Sequence, residues 1–252
     1  MDLICSFVIC IAMYSIIPMP KIEWTDKKMR FCFCFFPIIG IIIGVISFVI
    51  FNFLSSFSIN FLAILLLLVP ILISGGIHLD GLIDSCDAFF SFGDKQKKLD
   101  ILKDPRTGAF GVIGAIVYFI LLFASYSQIL INAKFFTLLP FTFINSRTIG
   151  SICMLCVKNA RNNGLGATFS KASNKITVVV LCLWLLASFI IMLSLNTALS
   201  LLIIAFIGVF LLFYIPYIKR EFGGITGDLT GFIIAFLEFL IPFIIAIGGV
   251  VL

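Results

Sequence analysis

FCFCFFPIIGIIIGVISFVIF, residues 31–51, is a run of mostly apolar side chains without a single charge, and this stretch decides the class of fold. A second run, FLAILLLLVPILI at 61–73, follows after a short polar turn. Hydrophobic residues make up 62% of the 252 residues and charged residues only 12%, so the chain holds more apolar surface than a soluble core can bury. The sequence therefore predicts a polytopic integral membrane protein.

Apolar segments of membrane-spanning length recur along the chain. A window of about 20 residues finds them near 3–18, 31–54, 59–77, 109–131, 135–157, 176–195, 197–218 and 229–251. Because the first is short enough to lie at the interface, we expect seven to eight transmembrane helices. Lipid offers no partner for backbone polar groups, so the predicted fold class is all-α, a helical bundle forming one integral-membrane domain over 1–252. We predict no signal peptide, since no basic region precedes the first segment.

Basic residues fall in every second connection between these segments. The four connections are 19–30, 78–108, 158–175 and 219–228. Only Lys134 and Arg147 are basic residues outside them. By the positive-inside rule these loops are cytoplasmic, which predicts a multi-pass protein of the cell membrane, in contact with the lipid bilayer. The formal net charge of +5 is explained by this topology, so we expect no nucleic-acid partner.

Arg147 is a lone cation near the middle of the segment 135–157. A charge at that depth is costly, so the side chain is expected to face the bundle interior and meet an anion. The anion is either an acidic side chain of a neighbouring helix or the phosphate of a ligand. We favour the ligand phosphate.

Half of the 12 acidic residues fall in the single stretch 75–111. Asp80, Asp84 and Asp87 stand at i, i+4 and i+7, which predicts three carboxylates within an arc of about 60° on one helix face. Three like charges repel unless a cation lies between them, and clustered oxygen ligands favour Mg²⁺, with Mn²⁺ as an alternative. The competing interpretation is a solvated acidic face. His78, the only histidine, is expected to point about 160° away and not to bind the metal directly. The alternative is that Gly75 and Gly76 allow the backbone to break before it and bring the side chain round.

The stretch KDPRTGAFG at 103–111 brings three polar residues to the start of the segment 109–131. Exposed N–H groups at that helix start, with Lys103 and Arg106 nearby, would suit a phosphate. Asp104 lies between the two cations. The plainer interpretation is that such cations anchor lipid headgroups.

A second glycine-containing turn, REFGGITGDLTG, covers 220–231. Gly223 and Gly224 permit close approach of the backbone to a ligand. Thr226 and Asp228 supply oxygen ligands or a helix cap, and capping alone would explain Asp228. Because this turn lies on the same predicted side of the membrane as the aspartate helix, we favour a functional role.

Four elements carry a resemblance to a known family. They are GGIHLDGLIDSCDAFF at 75–90, KDPRTGAFG at 103–111, the SR pair at 146–147 and GGITGDLTG at 223–231. In order and spacing they resemble the cobalamin synthase family, adenosylcobinamide-GDP ribazoletransferase. The resemblance implies a single membrane-bound catalytic domain that joins adenosylcobinamide-GDP to α-ribazole or α-ribazole 5′-phosphate. It implies adenosylcobalamin, or its 5′-phosphate, and GMP as products, with Mg²⁺ required.

The resemblance also implies roles for the matching residues. The metal-binding element falls on Asp80, Asp84 and Asp87, and the substrate-binding positions fall on Lys103, Arg106, Arg147, Gly223, Gly224 and Thr226. Asp104 or Asp228 remains as the group that takes the proton of the attacking ribose hydroxyl or completes the metal shell. Two positions depart from the family pattern. Pro105 stands where serine is usual, and Ala235 where an acidic residue is often found, with Glu238 one turn later.

Two other classes of membrane protein compete with this interpretation. A CDP-alcohol phosphotransferase also uses clustered aspartates with Mg²⁺, but its D-x-x-D-G-x-x-A-R pattern does not occur in that order. An ion-coupled transporter would use Asp80 and Arg147 as coupling residues and would spread its acids near the midplane, whereas these acids cluster beside glycine turns. The sequence leaves open whether the protein acts as a monomer or a homo-oligomer.

Overall fold

Helices account for most of the regular structure in the computed structural model, which describes residues 2–161 and 164–251. In chain order they are α1 (Asp2–Tyr14), α2 (Asp26–Met29), α3 (Cys32–Phe53), α4 (Ile59–Ser74), α5 (Ile77–Phe90), α6 (Lys95–Ile101), α7 (Ala109–Ile131), α8 (Leu139–Cys156), α9 (Leu165–Ala172), α10 (Lys175–Leu195), α11 (Thr197–Phe222) and α12 (Gly227–Val251). A 3₁₀ turn, Ala133–Leu138, runs directly into α8. The predicted all-α class is confirmed.

Six helical units are long and apolar enough to cross a bilayer, counted over the described residues. They are α3, α7, the 3₁₀ turn together with α8, α10, α11 and α12. The pair α4 and α5 makes a seventh crossing if it is counted as one, which agrees with the lower of the two predicted numbers. An eighth crossing is not supported, because α1 has only 13 residues. A helix of this length would span about 20 Å, whereas the hydrocarbon core of a bilayer is about 30 Å thick.

The chain breaks sharply between α4 and α5, inside the segment predicted as one span at 59–77. Gly75 and Gly76 have φ values of 63° and 77°, a conformation that residues with a Cβ rarely adopt. The two helices consequently meet at 94°. The predicted loop 78–108 is therefore corrected in its first part, because residues up to Phe90 form a helix that packs against α7 and α12.

The helices α8 and α12 form the centre of the bundle. In the most apolar part of each membrane-spanning unit, 72% of the residues are buried for the unit that contains α8 and 61% for α12. The corresponding value for α10 is 22%. The exposed faces of the outer helices carry large apolar side chains such as Leu183 and Leu186 of α10. Such faces suit contact with lipid.

Candidate active site at the contact of α5 and α12

The backbones of α5 and α12 touch, and this contact builds the site. A Cβ atom added to Gly81 would lie 2.7 Å from the carbonyl oxygen of Asp228 and 3.1 Å from the Cα atom of Gly231. No larger side chain fits at Gly81 without separating the helices. The hydroxyl of Ser85, one turn further along α5, donates a hydrogen bond to the same carbonyl oxygen at 3.4 Å. The aspartates of α5 are thereby held beside the first turn of α12.

A cavity of about 280 Å³, the main cavity, opens beside this contact. Its lining includes Asp80 of α5, Asp228 of α12 and Arg161 from the loop after α8, together with residues of α1 and α3. Asp80 and Asp228, two predicted site residues that are far apart in the sequence, therefore line the same cavity.

A second cavity of about 290 Å³ lies between α5 and the loop residues 104–108. The predicted aspartate face is divided between the two cavities, because Asp80 lines the main cavity whereas Asp84 and Asp87 line the second. Asp84 nevertheless lies within electrostatic range of Asp80 and Asp228. The two cavities therefore share one region of negative charge.

Asp87 is held by the start of α7. Its carboxylate oxygens accept hydrogen bonds from the N–H groups of Gly108 at 2.7 Å and Gly111 at 2.8 Å. A carboxylate at a helix N-terminus satisfies free N–H groups and interacts favourably with the helix dipole. Asp87 thus caps α7, a role that the sequence analysis did not predict.

The predicted metal site is not preassembled. Across residues 2–161 and 164–251, no three Asp, Glu, His or Cys side chains are grouped closely enough to hold an ion. Within the same ranges, Asp80, Asp84 and Asp228 take part in no ion pair, although Asp228 lies within electrostatic range of Arg161. Mg²⁺ usually binds one or two carboxylates together with substrate phosphates, and this donor set fits that chemistry without an all-protein cage.

Asp104 is bound to Arg106 at the protein surface. Its carboxylate accepts hydrogen bonds from Arg106 Nε at 2.9 Å and Nη2 at 2.7 Å, and also from the backbone N–H of the same residue. These bonds lower the pKa of Asp104 from 3.8 to about 2. Both residues line the second cavity, whereas Lys103 is exposed and lines neither cavity.

The residues of the glycine turn before α12 have different structural roles. Gly223 and Gly224 have φ values of 81° and 153° and turn the chain, but they line neither cavity. The hydroxyl of Thr226 accepts a hydrogen bond from the N–H of Leu229 at 3.2 Å and so caps α12. Because Thr226 provides the cap, the carboxylate of Asp228 is left free to line the main cavity.

Arg147 is fully buried and paired with Glu238 of α12. The Nη1 and Oε1 atoms are 2.5 Å apart, and the side chains are 0% and 7% exposed. Arg147 also donates to the carbonyl oxygen of Phe143 at 3.1 Å. It lines neither cavity, and its partner in the structure is the acidic side chain of a neighbouring helix, the alternative that the sequence analysis did not favour. A buried guanidinium requires an anion, and the acidic residue one turn after Ala235 supplies it.

Sequence reasoning missed part of the wall of the main cavity. His78 lines it together with Asp80, although helical geometry had placed the two side chains on opposite faces, because the cavity extends around the first turn of α5. Arg161 was counted only as a basic loop residue. Burial lowers its pKa, while the charges of Asp228 and Asp100 act in the opposite direction. Its position in a loop gave no signal that distinguished it from other surface cations.

The fold and the site define a multi-pass helical membrane protein whose carboxylates are gathered at the junction of a broken helix pair. Comparison with known proteins identifies the family. A family model described as "Cobalamin-5-phosphate synthase" matches residues 6–246, and the chain belongs to this family. The family expected from the four sequence elements is thereby confirmed, and the two competing classes lose their support.

Curated relatives match over nearly their whole length. A protein of Lachnoclostridium phytofermentans is 37% identical over 256 residues, covering 98% of this chain and 95% of the relative. A protein of Clostridium botulinum is 35% identical, covering 88% and 89%. One of Clostridium perfringens is 33% identical, covering 91% and 92%. All three are named adenosylcobinamide-GDP ribazoletransferase. No solved structure matches the chain.

Proposed function

We propose that the protein is a membrane-embedded adenosylcobinamide-GDP ribazoletransferase. It joins adenosylcobinamide-GDP to α-ribazole, or to α-ribazole 5′-phosphate, and forms adenosylcobalamin, or its 5′-phosphate, and GMP. The observation that carries this proposal is the meeting of Asp80 and Asp228 in one cavity, with Asp84 in electrostatic range of both. These residues come from the first and last of the family's sequence elements.

The proposed reaction is a substitution at phosphorus. A ribose hydroxyl of α-ribazole attacks the phosphorus bonded to cobinamide, and a new P–O bond forms. The P–O bond to GMP breaks, GMP leaves with the electron pair, and the hydroxyl proton passes to a base. Negative charge grows on the phosphate oxygens during this step, so positive charge and a proton acceptor are both needed.

Mg²⁺, or Mn²⁺ in its place, would supply positive charge at the phosphates when bound. Asp80 and Asp84 offer carboxylates for the ion, and phosphate oxygens of the substrate would complete its shell. We assign Asp87 to capping in preference to metal binding, because both its oxygens already accept N–H groups.

Asp228 is the better of the two candidate bases. It lines the main cavity with Asp80, and the hydroxyl of Thr226 lies 3.4 Å from its Oδ2 atom. Asp104 is partly exposed and hydrogen-bonded to Arg106, and a carboxylate with a pKa of about 2 is a weak proton acceptor near neutral pH.

The proposed phosphate-binding cations differ from those expected at first. Arg161 lines the main cavity and takes the role that the sequence assigned to Arg147. Lys103 and Arg106 are exposed near the second cavity and would attract the anionic substrate as it approaches. We propose that these loops face the cytoplasm and that the protein lies in the cell membrane, since the basic residues cluster in alternate connections.

The test is GMP release by the purified protein in liposomes supplied with adenosylcobinamide-GDP and α-ribazole. We expect product only with Mg²⁺ or Mn²⁺ and a loss of product in Asp84→Asn. Asp26→Asn is the matched control, because Asp26 is exposed on the short helix α2 and lines neither cavity. A folded wild-type protein that forms no cobalamin product under any metal condition would refute the proposed function.

A further inference from the structure

One wall of the main cavity is built from rings. The centroids of Tyr14 and Phe36 are 4.4 Å apart, and the imidazole of His78 lies 5.7 Å from the Phe36 ring. The His78 and Tyr14 rings are 6.4 Å apart and inclined by only 23°. Three helices, α1, α3 and α5, contribute one ring each. Such a wall suits a flat ring that can stack against it.

The same cavity contains buried polar atoms that lack a partner. His78, Ser151 and Asn159 line it, and the buried Nε2, Oγ and Oδ1 atoms of these side chains have no hydrogen-bond partner within residues 2–161 and 164–251. His78 is 5% exposed and Ser151 is 0% exposed. Buried polar groups are normally paired, and an unpaired one is costly. The three atoms therefore point to a ligand that carries its own hydrogen-bonding groups.

The size of the cavity limits what can enter. Small-molecule sites usually have volumes of about 300–1,000 Å³. The main cavity, at about 280 Å³, suits one nucleoside and is too small for a corrin ring. Asp80 and Asp228 line the same cavity, so a base bound against the rings would have its phosphates near these carboxylates and the metal proposed there.

We propose that the main cavity is a guanine-binding subsite. The guanine ring stacks against His78 and Tyr14, and its polar edge bonds to the unpartnered atoms of Ser151 and Asn159. Guanine has N–H donors that can bond to the amide oxygen of Asn159, and a carbonyl oxygen that can accept from the hydroxyl of Ser151. One edge of the base can therefore satisfy both partners. This subsite rests on the proposed function, because the guanine belongs to the GMP that the reaction releases.

The hydrogen-bonding pattern favours guanine over the base of α-ribazole. A ring edge without N–H donors would leave Asn159 Oδ1 unpaired in a buried place. Sites built to bond a polar edge discriminate strongly against ligands that lack it, because their own groups then remain unsatisfied. The cavity is therefore assigned to the leaving nucleotide.

The test is direct binding of GMP to the purified protein in nanodiscs with Mg²⁺, measured by isothermal titration calorimetry. α-Ribazole is titrated in parallel. We expect GMP to bind more tightly than α-ribazole, whose base has no N–H donor for Asn159. Loss of one buried hydrogen bond in Ser151→Ala should weaken GMP binding by about three- to tenfold and α-ribazole binding by less, so the preference for GMP over α-ribazole narrows.

Two further variants serve as a second test of the site and as a matched control. Asn159→Ala removes the amide oxygen to which a guanine N–H would bond, and it should also weaken GMP binding, so a folding defect in one variant does not decide the result. Ser188→Ala is the matched control. Ser188 is also buried without a hydrogen-bond partner among the described residues, but it lies on α10 away from the main cavity. It should leave GMP binding unchanged.

The outcomes separate this proposal from the proposed function. An active enzyme whose GMP affinity is unchanged in both Ser151→Ala and Asn159→Ala would overturn the subsite and leave the transferase intact. Weakened α-ribazole binding with unchanged GMP binding would also overturn it and assign the cavity to the other substrate. A protein that binds GMP with the expected preference but forms no cobalamin product would support the subsite while refuting the transferase.

Discussion

Aspartates of similar sequence context have different tasks in this protein, because their backbone neighbours differ. Asp80 lines the main cavity without an ion-pair partner among the described residues, Asp87 caps α7, and Asp104 is bound to Arg106. Asp80 and Asp87 lie in one helix, α5, as their spacing predicted, but they line different cavities. Which carboxylates are already satisfied depends on N–H groups from α7 and its preceding loop, and spacing within α5 contains no information about those groups.

At the residue scale, the two candidate bases can be separated by substitution. Asp228→Asn should lower kcat for GMP release by about 10²–10⁴-fold, because an amide cannot accept the proton. Asp104→Asn should leave kcat nearly unchanged. The folded-state pKa of Asp104 is below its unfolded value, so its stabilising effect is present above pH 3.8 and is lost as the pH falls through about 2. It therefore contributes no inflection to the rate profile near neutral pH.

The measurement is a pH–rate profile of GMP release for the wild type and both variants. Comparable losses of kcat in the two variants would contradict the assignment of the base to Asp228.

At the scale of elements, a helix break and a helix contact together create the site. Gly75 and Gly76 turn α5 by 94° from α4, and Gly81 lets α5 lie against the start of α12. The hydrophobic pattern alone predicted one span at 59–77, because both helices are apolar at the junction. The two glycines indicated a possible break, but the direction of α5 depends on their positive φ values, which the sequence does not specify.

Gly81→Ala tests this contact. The added methyl would lie 2.7 Å from the carbonyl oxygen of Asp228, so it should push α5 from α12 and destabilise the fold by about 1–3 kcal/mol. GMP release should fall, since Asp80 and Asp228 would move apart. Gly208→Ala on α11 is the matched control, because no atom lies within 4 Å of its added Cβ.

Thermal unfolding in detergent and the rate of GMP release are measured on both variants. A Gly81→Ala protein with normal melting temperature and normal rate would show that the close contact is not needed for the site.

At the scale of the whole molecule, the two central helices are joined by the buried pair of Arg147 and Glu238. The sequence identified the intramembrane cation and its need for an anion. It did not identify which anion, because Glu238 comes close only when α12 packs against α8.

The pair predicts a pattern of stability across variants. Arg147→Met alone should destabilise the bundle by about 3–5 kcal/mol, because Glu238 is left as an unpaired buried charge. The double variant Arg147→Met with Glu238→Leu should recover most of this loss, since both charges are removed. Melting temperature and the KM for adenosylcobinamide-GDP are the measurements. A double variant that melts normally but has a strongly raised KM would return Arg147 to the role of a substrate-binding residue.

The sequence by itself determined the membrane class, the all-α fold, the family and the motif carboxylates that the structure places at the candidate site. Composition and local motifs suffice for these because lipid forces backbone polar groups to pair within helices, and because the motif residues are contiguous. Only the tertiary structure decided that Asp80 and Asp228 share a cavity, that Asp87 caps α7, and that Arg147 pairs with Glu238. Each of these depends on helices distant in sequence coming within hydrogen-bonding or cavity-lining distance, and periodicity along one helix does not specify its neighbours.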